Sequence, residues 1–134
     1  MSASQTAIDL TDLAARAAAD KLADDILAID VSERLAITDV FLILTGHSDR
    51  QVLAIRDAVE ERLLAAGVKA VRREGDREAR WILLDFLDLV VHVQQADTRR
   101  LFALDRLWHD CPTLDLTLPQ APAAQVTPVV QVAV

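Results

Sequence analysis

Two kinds of chemistry can be read directly against the residues of this 134-residue chain. Thr45-Gly46-His47-Ser48 joins an apolar run, FLIL, to a helical pattern, and a helix N-terminus offers free N–H groups to an anion. One reading is a phosphate or nucleotide site. The other is a tight turn, with Gly46 for backbone freedom and Ser48 as a helix cap. A single glycine is far from the Gly-rich loop that wraps a phosphate, which favours the turn. The three imidazoles are His47, His92 and His109, and the one thiol is Cys111. They fall in a turn, a strand and a helix end. His109 and Cys111 are close in sequence, but no second pair completes a tetrahedral set, so no metal is expected. Cys111 lacks an inferable base, and beside Pro112 at a helix end it has an ordinary structural place.

A surface chemistry is more legible. Arg80 to His92 reads RWILLDFLDLVVH, two apolar runs joined by a short polar break. Paired as an antiparallel hairpin about Leu87-Asp88, the runs place Ile82, Leu84, Phe86, Leu89, Val91 and Val93 on one wholly apolar face. Trp81, Leu83, Asp85, Val90, His92 and Gln94 take the other. The period of two fixes this sorting. The first face belongs to a core. The second mixes an aromatic and branched aliphatics with one acid and one imidazole, as expected of a surface that meets another protein. His92 falls across from Leu83; a hydrogen-bonded structural histidine is the simpler reading, and a pH-sensitive contact the other.

Composition narrows the partner. The net charge is −7, and residues 1–30 hold six aspartates against Arg16 and Lys21. Phosphate backbones repel such a surface, so direct binding of DNA or RNA is not expected. A basic protein is the better match, with charge complementarity speeding encounter more than tightening the complex. Half the residues, 52%, are hydrophobic, enough for a core in a single domain. A lone cysteine excludes an intramolecular disulfide. There is no secretory pattern and no apolar run long enough for a bilayer, so a cytoplasmic chain without a membrane partner is expected.

The elements that must position these residues follow from pattern. Thr6 is a plausible N-cap, with Asp9 three residues on, for an Ala/Leu-rich helix to about Ala23. Ile26 to Val31 and Asp39 to Thr45 read as buried strands. Ser48 and Gln51 have capping-box spacing; Val52, Ile55, Val59 and Leu63 form one stripe; Gly67 sits where a left-handed residue ends a helix. A short strand is expected around Val68 to Arg72, then a charged loop from Arg73 to Arg80. After the hairpin, Asp97 can cap a last helix with Leu101, Leu104 and Trp108 on one face and Arg99, Arg100 and Arg106 on its solvated side. Pro112 ends it. Strands alternating with helices, plus a hairpin, indicate a single α/β domain with a mixed β-sheet and flanking helices, over residues 1–112. Residues 113–134, uncharged after Asp115, read as a flexible C-terminal tail; the closing VVQVAV has strand propensity as an alternative.

The strings WILLD, LVVHV and LDRLW, in this order, resemble the ribosomal silencing factor S family, also called the Iojap family. DVFLILTGHSDRQ is similar to that family's strand, Thr-Gly-x-Ser turn and helix start, and KLADDILAIDV to its first helix-to-strand passage. The likeness spans roughly residues 14 to 110. Positions matching the family pattern are Thr45, Gly46, Ser48, Gln51, Glu74, Gly75, Trp81, Asp85, Asp88, His92, Arg99, Leu104, Leu107 and Trp108. The chain departs from it at Leu87, where glycine is usual, at Gln94, where an aromatic is usual, and at Val40, where tyrosine is common. A positive φ is costly for leucine, so the turn is expected to differ at Leu87.

The resemblance implies a nucleotidyltransferase-like topology. Such enzymes hold Mg²⁺ on paired carboxylates of one strand. Asp85 and Asp88 straddle a hairpin bend and Asp30 has no partner two residues away, so the topology is expected without catalytic residues, without a cofactor and without enzyme activity. It further implies a translational repressor that binds the large ribosomal subunit through its fourteenth ribosomal protein, blocks joining with the small subunit, and lowers translation when nutrients are scarce. Members also look like homodimers when free. A large-subunit assembly factor and a nucleotide-acting enzyme are the alternatives. The partner-binding residues expected are Trp81 and Leu83 as apolar anchors, Asp85 and Asp88 facing basic side chains, Phe86 and Leu87 flanking the tip, and His92.

Overall fold

The computed structural model describes residues 2–75, 77–116 and 118. Among them, α1 (Gln5–Asp20), β1 (Asp24–Asp30), β2 (Val40–Gly46), α2 (Asp49–Ala65), β3 (Arg72–Glu74), β4 (Trp81–Asp85), β5 (Leu89–Gln95), α3 (Ala96–Phe102) and α4 (Leu104–Leu107) follow in chain order. The strands form one sheet in the order β1-β2-β5-β4-β3. Only the central β2–β5 joint is parallel; the other three pairings are antiparallel. The mixed α/β sheet expected from the sequence is therefore the one found.

The β4–β5 hairpin has the anticipated register, with Leu83 opposite His92 and Trp81 opposite Gln94. Its apolar face is closed: Ile82, Leu84, Leu89, Val91 and Val93 are fully buried and Phe86 is 4% exposed. They join Leu42 and Leu44 of β2, the alanines of α1 and the Val52–Leu63 stripe of α2 in the main core. Ala7, Ala14, Ala15, Ala17 and Ala18 are all buried, and their small side chains suit the close contact of α1 with α2 and the sheet.

Helix ends show where local pattern was enough and where it was not. Ser48 Oγ accepts from Gln51 N (3.0 Å), and Gln51 Oε1 accepts from His47 N (2.7 Å). At the other end Val68 N bonds Leu63 O and Gly67 N bonds Leu64 O, with Gly67 at φ +86, the paired closure of a left-handed C-terminus. Because Val68 is spent on that closure, pairing with β4 starts later than expected, at Arg72. The first helix is capped by Ser4, not Thr6. Tertiary bonds decide this: Asp30 Oδ2 accepts from Ala3 N and Asp39 Oδ2 from Ser4 N, each at 2.9 Å, fixing the chain ahead of the helix. Burial works to raise the Asp30 carboxyl, but the bonds from Ser32 and Ala3 outweigh it and leave it below its ordinary value.

The last helix differs most. It is broken into α3 and α4 at Ala103, which has φ +45. Asp97 does not cap it but pairs with Arg100. The break turns Leu101 outward (77% exposed) while Leu104 is buried. Arg99, expected in solvent, is buried beneath α3. Beyond Pro112 the chain does not leave the sheet at once: Asp30 N bonds Pro112 O, Leu114 N bonds Ala28 O, and Leu114, Leu116 and Leu118 pack on the main core. The tail from residue 119 and the VVQVAV strand lie outside the described residues. Among the described residues no helix is long and apolar enough to cross a membrane.

Candidate docking surface

The second sheet face changes character from one edge to the other. One row across it runs Leu27, Ile43, His92, Leu83, Glu74, and the next Ile29, Phe41, Val90, Asp85, Arg72. On the β1–β2 side, Ile29, Val31, Ile43, Leu104 and Cys111 make a smaller core with Phe41 and Trp108 packed on it. On the β3–β4 side the face is charged and open. β4 lies on the border, which is why Trp81, Leu83 and Asp85 are each half-buried.

Trp81 is held from three directions. Its Nε1–H donates to His92 Nδ1 at 3.1 Å. Phe102, half exposed at the end of α3, lies 4.8 Å from its ring at 50°. Beneath its backbone, Gly75 has φ +87, and a Cβ there would stand 1.9 Å from the Trp81 carbonyl oxygen, so only glycine lets this loop cross the strand. α3 is in turn tied to the sheet by Arg99, whose Nη1 donates to Asp25 O and Thr45 Oγ1, both at 2.6 Å. Burial lowers the Arg99 pKa, against the pull of Asp105, Asp25 and Asp24.

Five of the residues expected at the contact are brought together: Trp81, Leu83 and Asp85 along the strand, Leu87 and Asp88 at the tip. Two are not. Phe86 is buried in the main core, where its parity puts it, and cannot flank a contact. His92 is 5% exposed and lies under Trp81 rather than beside it. Burial pushes its pKa down to about 4, so the ring is neutral at physiological pH. Asp85 is partly occupied within the chain: Oδ1 accepts from Leu87 N (2.9 Å), and Arg72 Nη2 stands 3.8 Å from Oδ2. Leu87 takes φ +75, so the turn keeps a glycine-like geometry despite the leucine, contrary to expectation. The Asp85 bond and the Asp88 N to Phe86 O bond (3.1 Å) hold it there. Phe102 was missed. The run Leu101-Phe102-Ala103-Leu104 was its signal, since four adjacent apolar residues cannot all face one side of a regular helix.

The other candidate chemistry has structural explanations. Gly46 packs so close to α2 that a Cβ would meet Val52 Cγ2 at 2.9 Å. Ser48 and Gln51 already satisfy the turn, and Asp49 puts a carboxylate in the first turn of α2, where a bound anion would be repelled. Cys111 is buried. Among the described residues no three His, Cys, Asp or Glu side chains converge to hold a metal ion.

Residues 4–131 match the family described as "Ribosomal silencing factor during starvation". The chain belongs to the ribosomal silencing factor family. It is 43% identical to the ribosomal silencing factor RsfS of Bacillus subtilis over 104 residues, 78% of this chain and 88% of that one. It is 30% identical over 89 residues to the mouse mitochondrial assembly of ribosomal large subunit protein 1, 64% of this chain and 39% of that longer protein. A crystal structure from Chromobacterium violaceum superposes with a TM-score of 0.74 at 31% identity, covering 84% of this chain and 93% of that one. One from Bacillus halodurans gives 0.71 at 37%, covering 81% and 98%. The fold and the family expected from WILLD, LVVHV and LDRLW are thus both found.

Proposed function

We propose that this silencing factor docks the Trp81–Asp88 edge of its sheet on the large ribosomal subunit, through a basic protein at the face that meets the small subunit, and so prevents joining. The observation that carries this reading is that Trp81, with its indole held by His92 and Phe102, stays only partly buried beside the equally part-buried Leu83. Aromatic anchors of this kind contribute most of the free energy of an interface. Asp88 is exposed and, unlike Asp85, has no ion pair among the described residues, so it is the acid that meets a partner's cation; Asp85 chiefly shapes the tip. The chain acts by occupancy and makes or breaks no bond. At 100 times its dissociation constant, such a blocker disfavours subunit joining by about 2.7 kcal/mol. Free copies pair as homodimers, which keeps the apolar edge from solvent. Co-sedimentation with purified large subunits tests the surface: Trp81→Ala with Asp88→Arg removes the chain from the particle, and undiminished co-migration of the double variant rejects the surface.

A second reading is large-subunit assembly, favoured by the printed name of the mouse relative. Tighter binding to immature than to mature large subunits would select it; equal binding selects silencing.

A further inference from the structure

His92 occupies a position that packing alone would give to an apolar residue. It is the middle of a row between Ile43 and Leu83, 5% exposed, with the Phe41 ring edge-on at 4.9 Å and 73°. Phe41 is itself backed by Trp108 at 5.5 Å. The imidazole is therefore wedged and cannot turn to find other partners. One ring nitrogen, Nδ1, accepts the indole N–H of Trp81 at 3.1 Å. An accepting Nδ1 leaves the single proton of a neutral ring on Nε2, which is buried without a partner among the described residues. A buried donor left unmade is unfavourable, and phenylalanine would avoid it. What histidine supplies and phenylalanine cannot is the acceptor for Trp81.

We infer that His92 is a positioning residue: its Nδ1 fixes the edge of the Trp81 indole, so that the open face of the ring is presented to the docking partner in one orientation. The inference rests on the docking reading of Trp81. Without the bond the indole keeps its packing on the smaller core and the Phe102 contact, neither of which is directional, and Phe102 lies at the end of a seven-residue helix, next to the left-handed Ala103. The ring would then have to be ordered at the moment of binding, which weakens affinity by about three- to tenfold.

The full chain, labelled with ¹⁵N in tryptophan and histidine, tests this. The protein has two indoles, Trp81 and Trp108, and Trp81→Phe assigns their signals. In the parent chain the Trp81 Hε1 signal is expected well downfield of free indole and slow to exchange, with a nitrogen–nitrogen coupling to His92 Nδ1 across the hydrogen bond. His92→Phe keeps the remaining amide spectrum, moves that signal upfield and speeds its exchange, and lowers large-subunit affinity by about three- to tenfold. His92→Asn, which retains an acceptor at similar reach, restores the downfield signal. A parent chain with no coupling and an indole at the free position overturns the role of His92, and needs no variant to fold. An indole that is released in His92→Phe with affinity unchanged, matched by unchanged affinity in Trp81→Ala, overturns the docking reading while the hydrogen bond stands.

Discussion

The two faces of the sheet are built from the same strands and solve different problems. Under α1 and α2, Ile82 and Leu84 of β4 and Leu89, Val91 and Val93 of β5 are apolar and closed to water. On the reverse, the β1–β2 half is closed by α3, α4 and the chain to Pro112, and the β3–β4 half is left to solvent. The buried polar side chains of β2 and β5 lie on this reverse face: Thr45 bonds Arg99, His92 bonds Trp81, and the Gln94 side chain is fully buried with neither end partnered among the described residues. Burial of unpaired polar atoms is unfavourable, and a face selected for stability alone would have excluded them. One side of the sheet is closed core throughout; the other is core over the β1–β2 half and carries the proposed contact at its β4 border.

Adjacent residues on β4 test that contrast most severely. Leu84→Ala empties the closed face and is expected to destabilise by about 3 kcal/mol, whereas Leu83→Ala, one residue away, costs less than about 1 kcal/mol and instead weakens ribosome binding. Urea titrations of the two variants, with co-sedimentation of each, would show the crossing; equal losses of stability would erase the distinction between the faces.

The reverse face should also be the acid-sensitive one. His92 titrates near 4 in the folded chain against an ordinary 6.5. Below pH 6.5 the unfolded chain takes up a proton that the folded chain refuses, so stability falls as pH drops from about 6.5 to 4 and levels off below. The span corresponds to roughly 3 kcal/mol from this group. Melts of the parent and of His92→Phe at pH 7 and 4.5 would isolate it, since the variant lacks this contribution.

Smaller effects refine the boundary. Arg99→Met removes the two bonds from α3 to the sheet and should cost about 1–2 kcal/mol, with faster amide exchange confined to α3 and α4. Protection unchanged there would mean that packing, not Arg99, holds the broken helix. Leu87→Gly relieves a leucine at φ +75 and is expected to gain up to about 1 kcal/mol in thermal unfolding. A loss instead would show that the exposed side chain contributes more than its backbone costs.

The hairpin was legible because a period of two admits only one sorting once the bend is placed, and eleven of the thirteen residues from Trp81 to Val93 lie in β4 or β5 or take a core position at the bend. The same parity already put Phe86 in the core, so expecting it at a contact set proximity to the tip above side-chain direction. The broken last helix was not legible. Ala103 carries no glycine or proline signal, and the break follows from Arg99 reaching Thr45 and Asp25 and from Leu104 reaching the second core. The Ser4 cap was hidden for a like reason, since Asp30 at the end of β1 and Asp39 just ahead of β2 select it from later in the sequence. Local periodicity shows through when one element decides; it fails where a distant strand supplies the deciding bond.

The account is tested most directly by mixing separated large and small subunits with the protein and following their association by light scattering. The parent chain should prevent association at concentrations well above its dissociation constant, and Trp81→Ala with Asp88→Arg should not. Association that proceeds unhindered beside the parent chain, or that is blocked equally by the double variant, would contradict it.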